Sequence, residues 1–122
     1  MRTYFYSFIV LVLVLVTHII GMRGMYVAFP PYDIFMHILG GLGIGLAVCA
    51  AIDLHGQNIS HKKLTIIIGV LVVGLIWEFF EAYYDITGST LWSIPYYIDT
   101  AKDLIDDMIG GAIIAFSYFY KK

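Results

Sequence analysis

Charged residues are scarce in this sequence. Lys, Arg, Asp and Glu make up 13% of its 122 residues, whereas hydrophobic residues make up 61%, and the mean hydropathy is +0.86. Soluble domains are about 25% charged, so the composition excludes an ordinary soluble domain and indicates an integral membrane protein. The only cysteine is Cys49. A disulfide within the chain and a Cys-x2-Cys metal site are therefore excluded, and the residue is expected to pack.

Long polar connections are also missing. Four apolar segments reach or approach the roughly 20 residues that a helix needs to cross a bilayer. They lie at about residues 4–21, 34–53, 64–84 and 102–120. The loops between them are too short for a soluble domain, and no convincing signal-peptide cleavage site follows the first segment. The sequence predicts a single transmembrane domain over residues 1–122, an all-α four-helix bundle.

Basic residues are unevenly divided between the two ends of the predicted spans. The side of the termini and of the loop at residues 54–63 carries Arg2, Lys62, Lys63, Lys121 and Lys122. The other side carries only Arg23 and Lys102. The positive-inside rule therefore places both termini in the cytoplasm. We expect a multi-pass protein of the cell membrane, with the lipid bilayer as partner and no nucleic acid.

Acidic residues gather near the opposite, external end. Three predicted spans carry a polar stripe there: Asp33 and His37 on the second, Glu78 and Glu81 on the third, and Asp99, Asp103, Asp106 and Asp107 on the fourth. Helical spacing places each stripe on one face. At a rise of about 1.5 Å per residue, the stripes reach matching depths of roughly 6 Å and 10–12 Å below the outer interface. This match predicts a carboxylate-lined cavity open to the outside.

Buried carboxylates need protons or positive charges nearby to offset their negative charge. A charged side chain that faces lipid at the bilayer centre costs about 2.5–3.5 kcal/mol, so these groups are expected to face inward. There, two carboxylates about 6 Å apart at an effective dielectric near 20 oppose each other by roughly 3 kcal/mol. Lys102 and Arg23 are expected to lie too near the surface to neutralise the cluster, which must then hold protons or a cation.

The ligand chemistry favours a hard divalent cation. An oxygen-rich set with one imidazole suits Mg²⁺, Mn²⁺ or Ca²⁺ better than zinc or iron. The predicted metal ligands are Asp33, His37, Glu78, Glu81, Asp103 and Asp107, with Asp99 and Asp106 as further candidates. If the protein is an enzyme, Glu78 or Glu81 is the candidate catalytic base, and His37 is a ligand or proton donor.

The second and fourth spans share a motif. Residues 33–41 and residues 103–111 both read Asp-x3-[His/Asp]-x2-Gly-Gly. An ancestral duplication would make the protein two parallel helical hairpins, a pseudo-repeat about an axis along the membrane normal. The alternative is a shared constraint, in which each helix has a polar head followed by glycines that let neighbouring backbones approach closely.

These motifs, taken as an ordered set, resemble the VanZ-like and YjdF-like small membrane proteins. The set is Asp33-x3-His37, then Trp77-Glu78-x2-Glu81, then "IDTAKDLIDDMIGGAI", and it covers the last three spans. The closer likeness is to the YjdF-like side, because Asp99-Thr100 precedes Asp103 and an arginine typical of VanZ-like proteins is absent. The resemblance implies a compact helical protein whose site residues are Asp33, His37, Glu78, Glu81, Asp99, Asp103, Asp107 and Gly110.

Three functions fit these observations. The first is a divalent-cation site near the outer leaflet that binds or acts on an anionic lipid or polyprenyl-phosphate headgroup. The second is a proton or cation transporter or channel, which needs polar residues that continue toward the cytoplasm, alone or in an oligomer. The third is a small accessory membrane subunit whose acidic rim binds a partner.

Overall fold

The structure, a computed structural model, describes residues 2–55, 61–86 and 91–120. This part of the chain forms helices joined by short turns and contains no strand. The helices are α1 Arg2–Ile20, α2 Tyr26–Ala28, α3 Pro31–His55, α4 Lys62–Tyr83 and α5 Ile94–Tyr120. The predicted all-α class is confirmed.

Three stretches of the described chain are long and apolar enough to cross a membrane. They are Arg2–Ala28, Pro31–His55 and Lys62–Tyr83, and they overlap the first three predicted spans. The fourth long helix, α5, begins at Ile94, earlier than the predicted fourth span, and includes the aspartate-rich stretch. Membrane crossing by α5, the single domain and the cytoplasmic termini stay predictions.

Helix α3 lies at the centre of the bundle and packs against α1, α4 and α5. Its contacts with α5 advance in the same direction along both helices, since Gly41 lies against Asp107 and Gly45 against Ile114. The two helices are therefore parallel, as expected for the second and fourth members of an up-and-down bundle.

Helix α1 runs antiparallel to α3. Tyr32, at the start of α3, donates a hydrogen bond to the carbonyl oxygen of Thr17 near the end of α1, at 2.6 Å. Ser7, near the start of α1, donates to the carbonyl oxygen of Gly43 further along α3, at 3.4 Å. These contacts fix α1 along one side of the central helix.

The two glycine motifs lie side by side where α3 meets α5. A Cβ atom at Gly41 would collide with the backbone of Asp107, and a Cβ at Gly110 would collide with the backbone of Ile38. Glycine is required on both helices because the backbones leave no room for a side chain. The packing fits the expected shared constraint, and an ancestral duplication stays a prediction.

A kink separates α1 from α2. Residues Gly21–Met25 form a π-helical turn in which Gly24 has φ 127° and ψ −6°, a conformation open to glycine. Gly21 leaves space for the ring of Tyr26, which a Cβ atom there would overlap. The kink thereby brings the Tyr26 hydroxyl to 2.8 Å from Nδ1 of His18.

The apolar core lies toward the end of the bundle at which α3 and α5 end and α4 begins. It consists of Cys49, Ile52, Ile66, Val70 and Ala115, all buried, so the expected packing role of Cys49 agrees with its position. Along α4 and α5 this core begins roughly 12 Å from the acidic residues, at about 1.5 Å per residue. Polar and apolar interiors are therefore segregated along the bundle axis.

Candidate functional site

His37 is the hub of the polar cluster. Its Nε2 atom lies 3.7 Å from Oδ1 of Asp33, one turn earlier on α3, and 3.7 Å from Oδ2 of Asp103 on α5. Its Nδ1 atom lies 3.3 Å from Oδ1 of Asp107, one turn further along α5. Because α3 and α5 are parallel and held together by glycines, their polar heads meet at the same level. One imidazole thus faces three carboxylates.

Lys102 covers the outer tier of the cluster. Its Nζ atom lies 3.1 Å from Asp103, 3.3 Å from Asp33 and 3.7 Å from Asp99. The Lys102 side chain is 46% exposed whereas that of Asp103 is 1% exposed, so the ammonium group reaches inward from the rim. The expectation that Lys102 lies too near the surface to compensate the carboxylates is wrong for this tier, because its long stem spans the distance.

Helix α4 contributes Glu78 and Glu81, both buried. In the described part of the chain, Oε1 of Glu78 and Oε2 of Glu81 have no hydrogen-bond partner, and neither do Oδ2 of Asp103 and Oδ2 of Asp107. Buried polar atoms are nearly always hydrogen-bonded, and an unpaired one costs about 1–3 kcal/mol. So many unpartnered acceptors at one place indicate a site that takes up protons or a cation.

Two sets of side chains offer ligand atoms that all lie within 4.8 Å of one another. One is Asp33, His37 and Asp103, and the other is His37, Glu78 and Glu81. At that separation and an effective dielectric near 20, two charged carboxylates oppose each other by about 3 kcal/mol. Lys102 reduces this repulsion in the first set, because its ammonium group lies beside Asp33 and Asp103. Among the described residues, no lysine or arginine forms an ion pair with the second.

The other candidate acids lie outside these two sets. Asp106 is buried but belongs to neither. Asp99 pairs with Lys102 at the rim. Five of the six predicted metal-ligand positions fall in the two sets, and the sixth, Asp107, contacts Nδ1 of His37. Their function as a site stays a prediction.

A cavity of about 220 Å³ adjoins the cluster. Its apolar wall comes from α1, α3 and α4, and its polar end includes His18, Tyr26, His37, Glu81 and Asp107. The rings of His18 and Trp77 meet edge to face, with centroids 5.1 Å apart, and join α1 to α4 there. Three members of the polar cluster thus face this cavity.

Sequence reasoning missed two contributors to this region. Tyr26 reaches His18 across the kink at Gly24, and no periodic pattern encodes that geometry. Lys102 carried a signal, since it lies three residues after Asp99 and one before Asp103. The spacing i, i+3 places oppositely charged side chains within reach on a helix.

The sequence model of the family described as "Predicted membrane protein (DUF2238)" matches residues 1–122. No curated protein matches the chain, and no solved structure does.

Proposed function

The chain belongs to the DUF2238 family of predicted membrane proteins, and we propose that its buried cluster binds a divalent cation in the membrane. The observation that carries the proposal is the set His37, Glu78 and Glu81, whose ligand atoms lie within 4.8 Å of one another. Both glutamates bury an oxygen that has no partner among the described residues. A cation would satisfy these oxygens and remove the repulsion between them.

The charge balance favours this set over the one formed by Asp33, His37 and Asp103. Lys102 already lies 3.3 Å from Asp33 and 3.1 Å from Asp103, and a second cation beside it would be repelled. Asp107, at 3.3 Å from Nδ1 of His37, is placed to orient the imidazole, as carboxylates commonly do for metal-binding histidines.

The ligand types and spacing fit a hard cation. Calcium binds oxygens at about 2.3–2.6 Å, so opposite ligands are about 4.6–5.2 Å apart, whereas magnesium requires about 4.0–4.2 Å. Ligand atoms that all lie within 4.8 Å of one another can surround Ca²⁺, Mg²⁺ or Mn²⁺, since ligands that are not opposite each other lie closer together than these values. Zinc and iron remain weaker candidates because the set is rich in oxygen.

We extend the proposal to an anionic lipid headgroup near the outer leaflet. Three side chains leave coordination positions for further oxygens, and phosphate oxygens commonly fill such positions on a protein-bound cation. The residues that resemble the YjdF-like motifs are the same residues. If the bound lipid also reacts, Glu78 or Glu81 is the general base to test first.

The experiment is metal binding by detergent-purified protein. Wild type, freed of metal by chelation, is titrated with Ca²⁺, Mg²⁺ and Mn²⁺ by calorimetry, and thermal stability is measured in parallel. We expect Glu78→Gln and Glu81→Gln to weaken binding at least ~10-fold, because each removes a charged ligand. Asp106→Asn is the matched control, a buried acid outside both sets. Absence of binding by wild type, or equal loss in the control, contradicts the proposal.

Transport of protons or cations is less well supported than cation binding. The hydrophobic core between the cluster and the opposite end of the described bundle includes Val70, Ile66 and Cys49, and the buried hydroxyl of Ser7 at that end already donates to the carbonyl oxygen of Gly43. A proton or cation path needs polar groups or water at that level. Cation flux in proteoliposomes that Glu78→Gln abolishes would favour transport instead. Co-purification of one stoichiometric partner would favour an accessory subunit.

A further inference from the structure

The cavity beside the cluster has the shape and chemistry of a site for one hydrocarbon chain. Its lining includes Leu11 and Val14 from α1, Ile44 from α3, and Val70 and Val73 from α4. From Glu81 to Val70 the wall extends roughly 16 Å along α4, at about 1.5 Å per residue. Because its volume is about 220 Å³, a cavity of that length is narrow. The volume is also below the roughly 300–1,000 Å³ of pockets that enclose a whole drug-sized ligand.

The position of the cavity suits a ligand that enters from lipid. Val73 lines it and is still 38% exposed, so the cavity is not closed off at this helix. Neighbouring side chains on α1 and α4 are apolar and exposed, among them Leu13 at 46% and Val72 at 48%. A hydrocarbon chain lying between the two helices would therefore pass directly from the surrounding lipid into the cavity.

The polar end specifies the head of that ligand. His37, Glu81 and Asp107 belong both to the cavity wall and to the cluster. Glu81 and Asp107 are 4% and 6% exposed, and Oε2 of Glu81 and Oδ2 of Asp107 have no partner among the described residues. A cation bound there would place an anionic head at one end of the cavity and an apolar tail along the rest.

We propose that the cavity between α1 and α4 binds the one hydrocarbon chain of a single-chain lipid phosphate whose phosphate lies at the His37–Glu81 end. This inference rests on the proposed cation site and names the lipid class that the site takes. A single-chain phosphate is favoured over a two-chain phospholipid because one narrow cavity adjoins the cluster in the described part of the chain.

The test compares three probes in the presence of the cation that binds wild type most tightly. Farnesyl phosphate has one isoprenoid chain, dioleoyl phosphatidic acid has two acyl chains, and inorganic phosphate has none. We expect farnesyl phosphate to bind at least ~10-fold more tightly than inorganic phosphate, since about two CH₂ groups withdrawn from water account for such a factor. We expect it also to bind more tightly than phosphatidic acid, whose second chain has no place in the cavity. Equal or tighter binding of phosphatidic acid overturns the single-chain assignment.

Cavity-filling substitutions test the location. Val14→Phe and Val73→Phe each place a ring in the cavity, and we expect either to weaken farnesyl phosphate binding ~10-fold or more while leaving cation affinity unchanged. Leu13→Phe and Val72→Phe are the matched controls, because these neighbours face outward. If both cavity variants bind farnesyl phosphate like their controls, the chain lies elsewhere and the inference fails.

The two proposals fail in different ways. If wild type binds the cation but shows no preference for farnesyl phosphate, the cation site stands and the lipid assignment is wrong. If wild type binds no divalent cation, the proposed function is wrong, and the lipid assignment falls with it. Two separate cavity variants guard against misfolding of one, and a circular-dichroism melt of each identifies any variant that does not fold.

Discussion

At the scale of single residues, the carboxylates of the cluster differ in how much positive charge lies beside them. Asp33, Asp99 and Asp103 share one ammonium group, that of Lys102. Glu78 and Glu81 share the imidazole of His37, and the side chains of Thr100 and Trp77 beside them carry no charge. A buried charge that lacks a partner is costly. The outer tier is therefore a structural ion network, whereas the inner tier is the part that gains most from a bound cation.

Substitution of Lys102 tests this division. Lys102→Met keeps the length of the stem and removes the charge. We expect the free energy of unfolding of the metal-free protein to fall by about 1–2 kcal/mol, the value of a charged hydrogen bond reduced by solvent screening. Added Ca²⁺ or Mn²⁺ should restore more stability than it gives wild type, since the outer acids then accept a cation.

Lys62→Met is the control, because Lys62 forms no ion pair among the described residues. Thermal melts in detergent, with chelator and with each cation, provide the measurement. Equal melting temperatures for Lys102→Met and Lys62→Met under both conditions would show that Lys102 does not compensate the cluster.

At the scale of helices, the contact of α3 with α5 sets the geometry of the cluster. His37 on α3 reaches Asp103 and Asp107 on α5 because glycines beneath these residues let the two backbones touch. Helix packing with small residues at the contact is common in membranes, where burial of apolar side chains gives no net advantage over lipid. Any widening of this contact should separate the polar heads of the two helices.

Neighbouring glycines provide a matched test. Gly41→Ala places a Cβ atom against the backbone of Asp107, whereas Gly40→Ala places one at an ordinary 3.7 Å from Oδ1 of Asp107. We expect Gly41→Ala to lower the free energy of unfolding by about 1–3 kcal/mol through overpacking. We expect Gly40→Ala to be nearly neutral. The measurement is the melting temperature of each variant in the same detergent. Equal values would contradict the close approach of the α3 and α5 backbones at Gly41.

At the scale of the whole molecule, polar and apolar interiors occupy opposite halves of the bundle. The cluster lies where α3 and α5 begin and α4 ends, and the apolar core lies toward their other ends. The distribution of lysine and arginine predicts that the cluster lies on the external side. Orientation decides which leaflet supplies the ligand, so it bears directly on the proposed function.

Cysteine labelling tests the orientation. The native Cys49 is 0% exposed and provides an unreactive background. We expect Arg23→Cys to react with a membrane-impermeant maleimide on intact cells, and His55→Cys to react only after permeabilisation. Wild type is the control for background labelling. The reverse pattern would place the cluster on the cytoplasmic side and assign its ligand to the inner leaflet.

The sequence was informative wherever a periodic pattern controlled the structure. The helical class, the first three spans and the facing of His37 toward Asp103 and Asp107 all follow from the spacing of apolar and polar residues. Features that depend on tertiary contact could not be predicted from that spacing. The Gly24 kink, the ring contact between His18 and Trp77 and the cavity behind it arise from how α1 lies on α3, which no local pattern encodes.

The origin of the cluster from three separate helices has a consequence for biogenesis. A ribosome produces α3 and α4 before α5, so His37, Glu78 and Glu81 enter the translocon ahead of Lys102, Asp103 and Asp107. During that interval the glutamates face a lipid environment that disfavours charge. Release of the last helix completes the charge network, and a nascent chain truncated before α5 is expected to be a substrate for membrane quality-control proteases.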